Sequence, residues 1–412
     1  MQWSPVLAWL FAVAVVAGQN ASITPEQLTL GRVRARMAET LARQPDYTCI
    51  QQIERSNRRA PRHKYELRDM LRLEVALVDG KEMFAWPGEA KFEDTDLFDM
   101  VPGGGAIGTG NFATHARAVF RTSAPRFQYK GIVDLDGRRA YQYGFTVAQI
   151  ESGYHIRVNG VEAVVGYHGT FWADVNTFDL IRLEVIADDI PPTLGLKSAQ
   201  DVMDYGRMKI GSSDFLLPSG SELLMTDLNG NVSRNITRFS GCRQYSGESV
   251  LTFADAPDTT MPAAAPDRPK EARQLPPDIV FEISLDATVD SEKSMVGDPV
   301  TATLEENIKM KRRLLFPKGA KLLGRILRLE RHGDHCDLDI QFSEMESSEA
   351  RSSLSTRLET RPAPEMHPVL RGLVQISDEP NARGLKLRGV HVHLPRGFRL
   401  RLRTQAKTGS AD

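Results

Sequence analysis

Three groups of residues have the types and spacing to do chemistry. Gly103, Gly105 and Gly108, within residues 100–112, match the G-x-G-x-x-G spacing that wraps a nucleotide phosphate. His332, His335 and Cys336 offer nitrogen and sulfur donors to a metal. The acids Asp94 and Asp96, and Asp188 and Asp189, come in near pairs of the kind that share acid–base work. Each group needs a framework that its neighbours withhold. A dinucleotide loop follows a buried parallel strand and opens a helix. Here the preceding segment, KFEDTDLFDM, is acidic, and Gly110-Asn111-Phe112 stands where a phosphate loop needs Gly-Lys-Ser/Thr. Zinc ligands usually come as separated pairs, whereas His332 and His335 straddle a Gly333-Asp334 turn, and His391 and His393 alternate along a later strand. They read as surface histidines, and neither metal nor cofactor is assigned. Neighbouring acids on a strand point to opposite faces, so the Asp pairs read as a solvated edge. His155 and His168, each beside a tyrosine, read as structural. No G-x-S-x-G or H-E-x-x-H motif occurs, and a non-enzymatic protein is expected.

The aromatic residues are the better clue. Tyr141, Tyr143 and Phe145 share one face of a strand by the period of two, and Tyr154, Tyr167 and Trp172 follow in the same run of strands. Core packing accounts for most such residues. A concave sheet lined with them is also a place to hold an acyl chain or another apolar group. The glycine-rich stretch then reads mechanically. Five glycines in the eight positions 103–110 permit φ > 0 and reduce order. They lead to a helix, capped by Asn111, in which Phe112, His115, Ala116, Val119 and Phe120 share a face. Such a helix is either a lid over the sheet or a plug in its core, and periodicity alone does not separate the two.

The elements that must position these side chains are legible. Thr24 and Gln27 form a capping box with Pro25 at the first helical position, and Leu30, Val33, Met37 and Leu41 recur at helical spacing up to Pro45. Residues 69–80 alternate, with Leu71, Leu73, Val75 and Leu77 on one face, and Asp79-Gly80 is a hairpin signal. Strand follows strand to about residue 245. The expected fold class is α+β: a curled antiparallel sheet, or half-barrel, with helices (22–254), then a Pro/Ala-rich linker (255–277), a small all-β barrel or sandwich (278–404) and a disordered tail (405–412).

Of the 412 residues, 52 are Lys or Arg and 53 are Asp or Glu. That balance gives no general attraction to nucleic acid. Residues 5–18 are uncharged and apolar, shorter than a bilayer span, with Val16 and Gly18 placed for signal-peptidase cleavage. The expectation is a signal peptide over 1–18, export to the periplasm or envelope, and no transmembrane helix in the mature chain. An uncleaved anchor is the alternative. Export permits disulfides. Cys49 and Cys242 lie near the two ends of the first region, and a bridge between them adds about 4–5 kcal/mol in the chain-entropy model. Two buried thiols are the other reading, and Cys336 is left over.

The stretch GTFWADVNTFDLIRLEV, with Trp172, Asp174, Thr177 and Arg182, resembles the hairpin of the periplasmic lipoprotein-carrier (Lol-type) fold over about residues 24–250. The resemblance implies a half-barrel with lid helices and, as partners, a lipid or a lipidated protein. DDIPPTLGLKSAQDV replaces a tight turn of that fold. The same region, GGGAIGTGNF and FSGCRQYSGES included, resembles uncharacterised exported proteins of acidobacterial type. Residues 280–345, with Pro317, Lys318 and Gly319 in RRLLFPKGAKLLGRI, resemble the outer β-domain of TrbI-like conjugation and type IV secretion proteins. This implies a shared β module for contacts with envelope proteins. The chain lacks that family's inner-membrane helix and proline-rich arm.

Overall fold

The computed structural model describes residues 23–60, 64–89, 92, 97–101, 107–108, 110–158, 160–245, 271–358, 374–376, 384–389 and 391–406. The expected signal peptide, most of the linker, most of the tail, Asp94, Asp96, Gly103 and Gly105 lie outside these residues.

In chain order the first region comprises α1 (Pro25–Arg43), β1 (Tyr47–Arg58), β2 (Glu66–Val78), β3 (Lys81–Ala85), α2 (Leu97–Met100), α3 (Thr114–Arg121), β4 (Arg126–Leu135), β5 (Arg138–Val147), β6 (Tyr154–Val158), β7 (Val161–Asp174), β8 (Leu180–Asp188), β9 (Leu196–Ile210), β10 (Ser213–Asp227) and β11 (Val232–Gln244). Its strands form one sheet in the order β3-β2-β1-β11-β10-β9-β8-β7-β5-β4, with β6 paired to β7. Nearly every neighbour in this sheet is also a neighbour in sequence, as short turns between antiparallel strands require. The exceptions are β5 with β7, which skips β6, and β1 with β11, which brings the ends of the region together. There Cys49 and Cys242 form a disulfide.

Local sequence accounts for the elements. Thr24 and Gln27 exchange the two capping hydrogen bonds ahead of α1, Pro25 takes its first position, and Val33, Met37 and Leu41 are its buried stripe. Asp79 and Gly80 both adopt positive φ (50° and 81°) between β2 and β3, the conformation that an Asp-Gly hairpin turn needs. Helix α1 lies against β5 and β7–β10, where Tyr143, Phe171, Leu183 and Met203 are fully buried with it. The Tyr143 hydroxyl donates to the Glu26 carbonyl (2.8 Å). Asp179, after β7, accepts from Arg36 of α1 (3.0 Å) and Arg207 of β9 (2.7 Å), tying the helix to the sheet.

The expected α+β class is corrected. Strands account for 59% of the structure and helices for 11%. An α+β fold needs a helical layer of its own, and α1 with the eight-residue α3 cannot form one. They are inserts in the curve of a mostly-β half-barrel.

Residues 271–404 build a second sheet of ten strands, antiparallel except where Glu271–Ala272 pairs parallel with Ala350–Ser353. Thus two residues of the expected linker, Glu271 and Ala272, form a short strand. The two sheets share one apolar core. Leu71 of β2 bridges to Val296, Arg72 pairs with Asp298 (2.7 Å), and Arg68 pairs with Glu330 (2.7 Å). Gly297 sits at this junction with φ 99°, and a Cβ there would lie 2.1 Å from the Arg72 carbonyl. Only glycine allows so close an approach.

Candidate functional site

The sheet's curve is largely filled by its helices. Val119 and Phe120 of α3 are buried against the sheet, with the Phe120 ring 5.1 Å from that of Phe171. Where α3 faces β3, α2 and the start of β6, packing stops and leaves a cleft of about 1000 Å³. Phe84, Leu97, Tyr154 and Tyr167 give it apolar surface. Lys81, Arg117 and Arg121 give it positive charge, against the single lining carboxylate of Glu82. Among the described residues no carboxylate lies within 4 Å of Arg117 or Arg121. Burial, and the neighbouring Arg121, lower the pKa of Arg117.

The N-terminus of α3 is held from outside. Its N-cap position, Ala113, has no side chain to cap with. The Glu82 carboxylate of β3 accepts instead from the backbone N–H groups of Gly110 (2.9 Å), Ala113 (2.9 Å) and Thr114 (3.0 Å), and from the Thr114 hydroxyl (3.0 Å). A carboxylate placed there satisfies orphan donors and meets the positive end of the helix. Asn111, expected to cap α3, donates to the Ser221 hydroxyl instead (2.8 Å).

Beneath α3 lies a group of buried polar side chains. His115 Nε2 is 3.9 Å from Asp201 Oδ2, and both residues are buried. His115 Nε2, Asp201 Oδ1, and the hydroxyls of Tyr47 and Tyr205 have no hydrogen-bond partner. Burial lowers the His115 pKa to about 4. Burial, with a contribution from nearby Glu82, raises that of Asp201 to about 8. Both groups are therefore neutral at pH 7, the state that low-dielectric surroundings favour. Burial also raises the pKa of Tyr205 and of Tyr154, whose ring meets His115 edge-on at 5.1 Å. A smaller pocket of about 110 Å³ touches Asp201 and Tyr154 from the other side, lined also by Phe98, Ile107 and Leu223.

The aromatic residues singled out in the sequence are thus distributed over three environments. Tyr154 and Tyr167 line the cleft. Tyr143 and Phe145 lie under the helices in the packed core, while Tyr141 is half-buried and stacks on Phe178 (6.1 Å). Trp172 sits between inward-facing Phe171 and Ala173, opposite Gln142 and Arg182, so it belongs to the other face of the sheet. Phe112 precedes α3 and packs on Tyr47 (4.9 Å) and Phe239 (5.1 Å), away from Val119 and Phe120. His155 and His168 pair with Glu162 (2.7 Å) and Asp188 (2.8 Å).

No protein-family model matches the chain, and no curated protein matches it. Among solved structures it is similar to a LolA superfamily protein of Nitrosomonas europaea (13% identity, 52% of this chain and 93% of that one, TM-score 0.27). A DUF1329 family protein of Desulfovibrio piger is similar at 14% identity, with 53% and 92% covered and a TM-score of 0.30. So is a domain named for outer membrane lipoprotein sorting from Vibrio parahaemolyticus, at 12% identity, with 54% and 93% covered and a TM-score of 0.30.

Proposed function

We propose that this chain is a non-catalytic protein of the bacterial envelope. In this reading the cleft beside α3 binds an amphiphile: an acyl chain or lipidated segment with an acidic headgroup. One observation carries the reading. The cleft sets Phe84, Tyr154 and Tyr167 beside Arg117 and Arg121, which have no carboxylate within 4 Å among the described residues, while the lining carboxylate, Glu82, is engaged at the N-terminus of α3. Its volume of about 1000 Å³ is at the upper end of the range typical of small-ligand pockets, about 300–1,000 Å³. Binding fits better than catalysis because His115 and Asp201 are held neutral and covered by α3. The disulfide, together with the apolar segment 5–18, favours an exported location. Among the described residues no helix is long and apolar enough to cross a membrane. The second sheet acts in this scheme as a module for protein or envelope contacts.

A second reading, an interaction protein without a small ligand, draws on the close seating of Val119 and Phe120 in the sheet. Solvent extraction of the purified protein followed by mass spectrometry separates the two. The amphiphile reading expects extractable lipid and saturable binding of a fluorescent fatty acid, weakened roughly tenfold by Arg117→Ala with Arg121→Ala, as loss of charge-assisted contacts implies. Clean protein with no saturable fatty-acid binding leaves the interaction reading standing.

A further inference from the structure

We propose that the hairpin of strands Lys321–Arg331 and His335–Glu346 carries a binding site for a divalent transition metal, zinc being the one tested, with His332, His335 and Asp337 as ligands. The site is remote from the cleft in sequence and independent of the reading given to it.

The hairpin's pairing assembles the donors. His335 and Asp337 are two apart on one strand and so share a face. His332 closes the turn, its N–H donating to the His335 carbonyl (2.8 Å), and thereby brings its ring over that of His335 with centroids 4.5 Å apart and planes within 18°. Nε2 of His332 lies 3.3 Å from Asp337 Oδ2, and Nε2 of His335 lies 3.8 Å from Asp337 Oδ1. One donor atom from each of the three residues lies within 4.8 Å of the others. Donors at zinc distances in a tetrahedron are separated by about 3.4 Å, so small side-chain rotations would let all three reach one ion.

The surroundings prepare the ligands. His335 Nδ1 donates to Asp334 Oδ1 (2.7 Å), which places the proton on Nδ1 and leaves the Nε2 lone pair directed at the site. A carboxylate behind a histidine in this way is the usual support of a metal ligand. Arg328 binds Asp337 Oδ2 (2.9 Å) and Glu330 (2.8 Å), fixing the ligand carboxylate and leaving its Oδ1 free for the ion. Glu330 is taken up by Arg68 and Arg328 and is not counted as a ligand. Cys336 points the other way, into the core, where burial raises its thiol to about 11. Two imidazoles and one carboxylate suit a borderline ion such as zinc better than calcium or magnesium, and a water completes four-coordination.

The test uses the full, untagged chain, stripped with chelator and titrated with zinc chloride against a chromophoric competitor. The expected result is one equivalent of tightly held zinc. Affinity should fall by roughly a hundredfold or more in His332→Ala and His335→Ala, and by roughly tenfold in Asp334→Asn, which removes only the support. Cobalt(II) in place of zinc gives a visible spectrum that reports the ligand set directly, and His391→Ala should leave it unchanged. If the wild type takes up no more zinc than the His332→Ala/His335→Ala protein, the assignment is overturned. A cobalt spectrum indifferent to both histidines overturns it equally.

Discussion

The two sheets solve the problem of burying apolar surface in different ways. The second buries Phe281, Phe316, Leu322, Phe342 and Leu402 completely without a helix of its own among the described residues, in a core continuous with part of the first sheet. The first is open between its edge strands β3 and β4 and takes two helices into its hollow. Under the second of these helices it tolerates unpartnered polar atoms on Tyr47, His115, Asp201 and Tyr205. Buried orphans of this kind cost about 1–3 kcal/mol each. A core that only had to hold its shape would replace them. Asp298 and Arg401 carry such atoms in the second region too, but under α3 four of them sit close together.

The largest expected effect tests whether the first sheet relies on its covalent tie. The Cys49–Cys242 bridge spans a sequence separation of 193, and Cys49→Ala with Cys242→Ala should lower unfolding free energy by about 4–5 kcal/mol. Urea denaturation should show an earlier transition than in the wild type, in both regions, because their core is shared. Next in size, Phe342→Ala in the second sheet should cost about 3–5 kcal/mol, as large-to-small changes in a dry core do. Phe120→Ala should come nearer the lower figure, because the space it leaves adjoins the cleft and can fill with water. Equal costs, measured by the same denaturation, would erase the contrast between the two interiors.

Acidity sharpens the comparison. Burial gives Asp201 a pKa of about 8 in the fold against 3.8 for an ordinary aspartate. The folded state therefore keeps a proton that the unfolded chain surrenders. This contribution is whole below about pH 4 and is lost as pH rises towards 8. His115, at about 4 against 6.5, works in the opposite sense, adding stability as pH rises across that interval. Asp201→Asn should thus raise the melting temperature over wild type by a margin that widens from pH 4 to pH 8, reaching a few degrees; a margin independent of pH would mean that Asp201 is ionised throughout. The smallest effect concerns the cap. Glu82→Ala should cost about 0.5–2 kcal/mol, in the range of lost N-caps. Amide hydrogen exchange should quicken in residues 114–121 with the second sheet unaffected.

How far the sequence foretold this arrangement depends on how local each cause is. The capping box of α1, the alternation of β2 and the Asp79-Gly80 turn each depend on residues within a few positions, and each was readable. The disulfide was readable because both cysteines flank one region of an expected export product. The cap of α3 was not: Glu82 stands 32 positions before Thr114, and Asn111, the local candidate, is drawn off to Ser221. Trp172 was grouped with the lining aromatics although strict alternation with Phe171 and Ala173 sends it to the far face. The class was misjudged because two helical stripes were given the weight of a layer. The signal for the polar floor was present in Ala199, Asp201, Met203 and Tyr205, where one carboxylate interrupts an inward row of apolar side chains. The Gly333-Asp334 turn placed His332 and His335 at one hairpin tip, but Cys336 was named with them and Asp337 was not, although strand alternation sends Cys336 to the core and Asp337 to the face of His335.

The pairing of β1 with β11 also bears on how the chain is made. One side of β1 must wait for residues 232–244 to emerge before it finds its neighbour. Throughout that interval an unmatched strand border is open to other nascent molecules, so the protein's yield in a cell should depend on escorts that shield newly translated segments.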